Sequence, residues 1–394
     1  MKKIAISLLL TVMLWPVVAQ NEMETLLKEI ERNSSTLNAL REEIAARKLN
    51  NRTGIYFSDP EVAFNYLWGS PAPVGNRTDI SITQSFDFPT AYGHRSRISK
   101  LENANLDLRY QSERLNLLMR ARQVCTELVY YNALVEEYSR RLLNAQRIAE
   151  TYQVRFDRGD VNILEKNKAL LELNTTTNEM QRAESERSSL LNELKALNGG
   201  NAVSFTATEL HYGMLPPDFE QWYALAEAGS PLLQYVRGQI EISRQQVKLN
   251  RALQLPKFTA GYMSEKVVGE RFQGVTVGVS IPLWENRNRM KQAKAALSTA
   301  ETVLEDNKMQ FYHRLQNLFM RAKRLQQEAA SYRQALSAFN NEAFLKKALE
   351  SGEISLLNYL LEITYHYEAM QKMLESERDL GFVLAELSAV GMEL

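Results

Sequence analysis

The sequence has 394 residues, 45% of them hydrophobic, which is enough to bury a sizeable core; length alone would suit two or three ordinary domains. Lysine plus arginine and aspartate plus glutamate number 47 each, so no net field draws in nucleic acid or anionic lipid. The single cysteine, Cys125, excludes an internal disulfide and any Cys-x-x-Cys metal site, and is expected as a small buried residue in a helix seam.

In chain order, Lys2 and Lys3 lead an apolar run from Ile4 to Leu14, and Val17, Val18 and Ala19 supply small residues for cleavage. This pattern predicts an export leader over residues 1–19 and a mature chain starting at Gln20, with no cysteine there for a lipid anchor. The apolar run is shorter than the ~20 residues a spanning helix needs, and no later stretch is longer. Any membrane crossing is therefore expected to be by a barrel.

A helical pattern from Glu22 to Asn50 precedes two strand-like segments, about 55–68 and 78–88. In the second, Ile80, Ile82, Phe86 and Phe88 fall on one face, and Asp79, Ser81, Thr83, Ser85 and Asp87 on the other. A helical hairpin over about 92–198 follows, its long arm running to Phe156, its tip at 157–162 and its return arm from Ile163 to Asn198. After a linker at 199–218 the order repeats over 219–394. A helix from Glu220 to Leu255 leads to strands at about 258–268 and 272–284, then a hairpin over about 286–391 with its tip at 350–355. Val275, Val277, Val279, Ile281 and Leu283 alternate there with Thr276, Gly278 and Ser280. The tips align in character, Gly159 on Gly352 and Leu164 on Leu357, so the chain is one unit written twice, the first copy spanning 20–198.

Such alternation suits lipid on one face and a wet lumen on the other, and equally a half-buried soluble sheet. Tyr66, Trp68, Tyr262 and Trp284 are placed to form an interfacial aromatic belt. Four strands are too few to close a barrel, and an open edge cannot face lipid, so several copies must share one. An arm of some 65 residues would extend ~100 Å at 1.5 Å per residue, beyond any ordinary globular domain. Leu297, Leu304, Phe311, Leu318, Leu325, Tyr332 and Phe339 recur every seventh position, beside a second row through Leu315, Ala322, Ala329, Leu336 and Ala343. Two rows let a helix contact a partner on each side. A weaker row runs through Leu101, Leu108, Leu115, Val129 and Leu143.

In this duplicated order, in "SIPLWENRNR" at 280–289 with its weaker counterpart "SFDFPTAYGHR" at 85–95, and in the tip turns "RGDVNIL" and "SGEISLL", the chain resembles the TolC-like outer-membrane efflux channels. The likeness covers essentially the whole mature length. It implies a mainly α fold with a small transmembrane β part, in which a homotrimer forms an α-barrel topped by a shared twelve-stranded β-barrel. It implies an outer-membrane location in a Gram-negative bacterium, with a long periplasmic extension. The protein would be the passive exit duct of a tripartite efflux or secretion pump, served by a periplasmic adaptor and, indirectly, by an inner-membrane transporter. Gly159, Asp160, Val161 and Leu164, with Gly352, Glu353, Ile354 and Leu357, would be the adaptor-docking tips. The periplasmic constriction would fall at Asn358 and Leu361, where relatives of this type carry paired aspartates and this chain does not, with Glu165 and Glu362 as other candidates. A periplasmic adaptor or a structural coiled-coil protein is the alternative.

No enzyme is expected, because Gly-x-Ser-x-Gly, His-Glu-x-x-His and Walker patterns are missing from the sequence. His94, His211, His313 and His366 show no ligand spacing, and Met370 and Met373 fit a helix seam better than a soft-metal site, so neither metal nor cofactor is expected.

Overall fold

The computed structural model describes residues 15–209, 215–284, 288–339 and 341–390, with side chains from residue 22. The expected leader lies outside the described residues as far as position 14; residues 210–214 of the linker, His211 among them, residues 285–287 and the last four residues do so too.

The elements are α1 (Trp15–Asn33), α2 (Ser35–Asn50), β1 (Glu61–Leu67), β2 (Arg77–Phe86), α3 (Pro89–Asp157), α4 (Ile163–Leu197), α5 (Phe219–Gly229), α6 (Pro231–Ala252), β3 (Lys257–Val267), β4 (Glu270–Ser280), α7 (Arg289–Ala338), α8 (Glu342–Ser351) and α9 (Leu356–Ser388). They divide into two compact units. One holds the sheet and takes residues 39–112 and 230–310; the other holds both hairpin tips.

In the first unit the four strands form one antiparallel sheet in the order β1-β2-β3-β4. The expected strand at 55–68 shrinks to Glu61–Leu67, because Pro60 has no N–H for a ladder. The second, expected at 78–88, ends at Phe86, where the Asp87 N–H is donated to Tyr92 Oη at 2.9 Å instead of to a strand. The fourth, expected to reach 284, stops at Ser280, two residues before Pro282. Ion pairs Lys48–Asp107 and Arg109–Glu43, and the Arg41 to Tyr110 Oη hydrogen bond, hold α2 to the start of α3.

In the second unit Ala121, Val124, Cys125 and Leu128 of α3 follow i, i+3, i+4, i+7 spacing and are fully buried against Leu26 and Ile30 of α1 and Leu194 of α4. Of the row expected through Leu101, Leu108, Leu115, Val129 and Leu143, Val129 is buried in this seam and Leu143 is exposed. Burial pushes the Cys125 thiol up to about 12. The linker after α4 is pinned by Asn132, which donates to the carbonyls of Phe205 and Ala207. Phe219, Trp222 and Tyr223 of α5 cluster with Tyr312 and Phe319 of α7.

Three expected helices are interrupted. The helix at 22–50 breaks at Ser34, and that at 220–255 breaks at Ser230 and ends at Ala252. Each serine is buried and accepts the N–H three residues on, from Leu37 and from Leu233, so the two copies break alike. The long arm expected at 286–350 begins at Arg289 and is split between Ala338 and Glu342, where Asn341 precedes α8 without a side-chain cap; α3 runs unbroken for 69 residues.

Candidate functional site: sheet face and helical tips

The strand register settles which side chains share a face. Ile82 stands opposite Val62 and Tyr262, Tyr262 opposite Val275, and Ala260 opposite Val277. Directly paired residues lie on one side of the sheet, so Val62, Phe64, Ile80, Ile82, Phe258, Tyr262, Val275, Val277 and Val279 make one continuous apolar face. None of it is covered: Val275 is 84% exposed and Val277 77%. The reverse face carries Asn65, Asp79, Ser81, Thr83, Ser85, Thr259, Glu265 and Thr276, interrupted by Met263 and Phe272. There Arg77 pairs with both Asp79 and Glu265.

A soluble protein rarely leaves a patch of this kind open to water. The sheet also ends in two unpaired edges, β1 and β4, each a row of free backbone donors and acceptors. Among the described residues no helix is long and apolar enough to cross a membrane.

The aromatic residues expected as a belt are distributed differently. Tyr66 and Trp68 meet edge to face at 5.5 Å beside the β1–β2 turn, where Asn76 donates to Tyr66 Oη. Trp284 lies beyond the other end of the strands and is exposed. Tyr262 belongs to neither end: its register puts it mid-face between Ile82 and Val275, with its hydroxyl donated to Gln273. The aromatic side chains at the helix-proximal end are instead Phe57, Phe86, Phe88, Tyr92 and Phe258. Their local density at 56–57 and 86–92 was the signal, but nothing in the spacing says that the two stretches meet.

The two tips are built alike. The Gly159 N–H is donated to Phe156 O and the Asp160 N–H to Arg155 O; the Gly352 N–H goes to Leu349 O and the Glu353 N–H to Ala348 O. Each is a helix end closed by a left-handed glycine, with φ of 79° at Gly159 and 77° at Gly352. Each return helix then starts on a side-chain cap, Asn162 accepting from the Glu165 N–H and Ser355 from the Asn358 N–H. Glu165 reaches back to the Asn162 N–H and completes a capping box, so its carboxylate is engaged within the turn.

Val161 and Ile354 pack against a shared core of Ile148, Tyr152, Ala169, Leu356, Tyr359 and Ile363, which brings the tips together. Leu164 and Leu357, at matching positions, stay exposed, as do Gly159, Asp160, Gly352, Glu353, Asn358, Leu361 and Glu362. Beside them a cleft of ≈ 340 Å³ is lined by Arg147, Arg155, Lys346 and Glu350 around Gly352. Among the described residues no three His, Cys, Asp or Glu side chains converge to hold a metal ion.

No protein-family model matches the sequence. No curated protein matches it at a significant level either. Solved structures do match. The outer membrane protein VceC of Vibrio cholerae superposes with a TM-score of 0.76 at 15% identity, covering 96% of this chain and 98% of its own. The outer membrane channel CmeC of Campylobacter jejuni gives 0.67 at 15% identity, over 94% of this chain and 84% of its own. The open state of the MtrE outer membrane channel of Neisseria gonorrhoeae gives 0.71 at 12% identity, over 94% and 88%. The chain has the TolC-like outer-membrane channel fold. In that TolC-like fold the duplicated helices and strand pairs of this chain find their counterparts over nearly its whole length.

Proposed function

We propose that this chain is an outer-membrane channel, the passive exit duct of a tripartite efflux or secretion pump in a Gram-negative bacterium. One observation carries the reading: a four-stranded sheet with an uncovered apolar face, a polar reverse face and two open edges, on the fold of outer-membrane channels. The apolar face meets lipid, the polar face lines water, and β1 of one copy pairs with β4 of the next. Three copies then contribute four strands each to a single barrel. The segment after β4, with Trp284 at the membrane boundary, is the passage from lipid to periplasmic water.

The tips are the docking points for a periplasmic adaptor, with Leu164 and Leu357 presented outward and Gly159 and Gly352 allowing close backbone approach. An inner-membrane transporter supplies the energy through that adaptor, and the duct itself carries out no catalysis. At the expected constriction Asn358 and Leu361 carry no charge, and Glu165 is engaged in its capping box. The mature protein in a planar lipid bilayer is expected to conduct ions, with micromolar trivalent cations leaving the current nearly unchanged. Absence of conductance from a folded, membrane-inserted oligomer would contradict the channel, and strong block would contradict this account of the constriction.

A further inference from the structure

We infer that the sheet-to-helix junction holds one acyl chain of a phospholipid from the adjoining leaflet. This rests on the membrane-channel reading above and adds a built site to it. Phe57, Phe86, Asp87, Pro89, Tyr92 and Phe258 line a cleft of ≈ 470 Å³, within the range of small-molecule pockets. Its walls are set. Phe57 packs edge to face on Phe86 at 5.2 Å and on Tyr92 at 5.0 Å. The Tyr92 hydroxyl accepts the Asp87 N–H, and Arg95 lies over the Tyr92 ring while pairing with Asp87. The polar groups of the junction are thus satisfied among themselves, and the aromatic walls offer water too few partners to fill the space.

Two features choose the occupant. The first is continuity: Phe86 stands opposite Phe258, on the same side of the sheet as Ile82 and Val277, so the cleft prolongs the apolar face past the strand ends. Phe57 completes that wall although it is 61% exposed in the isolated chain. The second is position, since the cleft opens over the central strands β2 and β3, whereas a second copy adds at the outer edges of β1 and β4. A chain of methylenes arriving along the apolar face is the remaining apolar partner, with its headgroup near Arg95 and Asp87 at the rim.

The test uses the mature protein in phosphatidylethanolamine and phosphatidylglycerol vesicles containing a phospholipid with a diazirine on one acyl chain. After irradiation, adducts are mapped by peptide mass spectrometry. The expected result is labelling at Phe57 and Tyr92 several-fold above that on each of Val275, Val277 and Val279, the band of β4 that meets only bulk lipid. Phe57→Ser is expected to cut labelling at Tyr92 several-fold while leaving the band unchanged. Labelling at the cleft no higher than at the band, or unaffected by Phe57→Ser, would overturn the site and leave the channel standing. Labelling at neither place would overturn the membrane face itself.

Discussion

Gly159 and Gly352 share a left-handed backbone in which a Cβ would meet no atom within 4 Å. A substitution there is strained only by its dihedral angle, at about 1–2 kcal/mol per site, and the hairpins tolerate it. Gly159→Leu and Gly352→Leu are therefore expected to leave the oligomer assembled and to abolish efflux, because the side chain occupies the surface where an adaptor would approach. A loss of the folded oligomer on gels would show the glycines to be helix caps and no more. Glu172 on α4 offers a pH test. Burial first, then the charge of Glu179, raise its pKa above the ordinary 4.5. The neutral carboxyl is thus favoured in the folded state, and its stabilising contribution is present below pH 4.5 and lost as pH rises through the raised value. Glu172→Gln should melt at a higher temperature than the parent at pH 7, with the advantage shrinking toward pH 4; an equal or lower melting temperature at pH 7 would contradict this.

At the scale of elements the duplication extends to detail that the sequence shows only in part. Ser230 sits before Pro231, a recognisable start for α6, but Ser34 lies in a helical run without glycine or proline, so its break follows from the tertiary packing that buries it. Ser34→Ala and Ser230→Ala are each expected to cost about 1 kcal/mol, the usual value for a lost N-terminal cap, read as a fall in the denaturation midpoint. A neutral result at one site alone would break the equivalence of the two copies. The strand faces were legible because the period of two at Ile80 and Ile82, and at Val275 to Val279, survives any error in strand ends. The hairpin pairs were legible but their register was not: that Tyr262 stands between Ile82 and Val275 depends on its alignment with β2 and β4, which no local pattern encodes. The aromatic junction at Phe57 was hidden for the same reason; in the seam of α3, Cys125 was legible as a small buried residue, whereas Ala121 is too small to stand out in an apolar count. Asn341, which precedes α8, is a weak helix former that a heptad count passes over.

At the scale of the molecule, what one chain leaves unsatisfied defines what surrounds it. Leu315, Ala322 and Ala329 of one row and Phe311 and Leu325 of the other are buried within the chain, whereas Phe339 is exposed and available to a neighbouring copy. The sheet has lipid-type chemistry on one face and no partner at either edge, so a single copy cannot rest in a membrane or in water without leaving backbone groups or apolar surface exposed. A barrel shared among copies, as proposed above, would resolve both conflicts at once. Light scattering of the mature protein extracted from outer membranes, with the detergent contribution subtracted, tests this most directly. The account predicts a particle of three chains that requires detergent; a monomer soluble without detergent would contradict it.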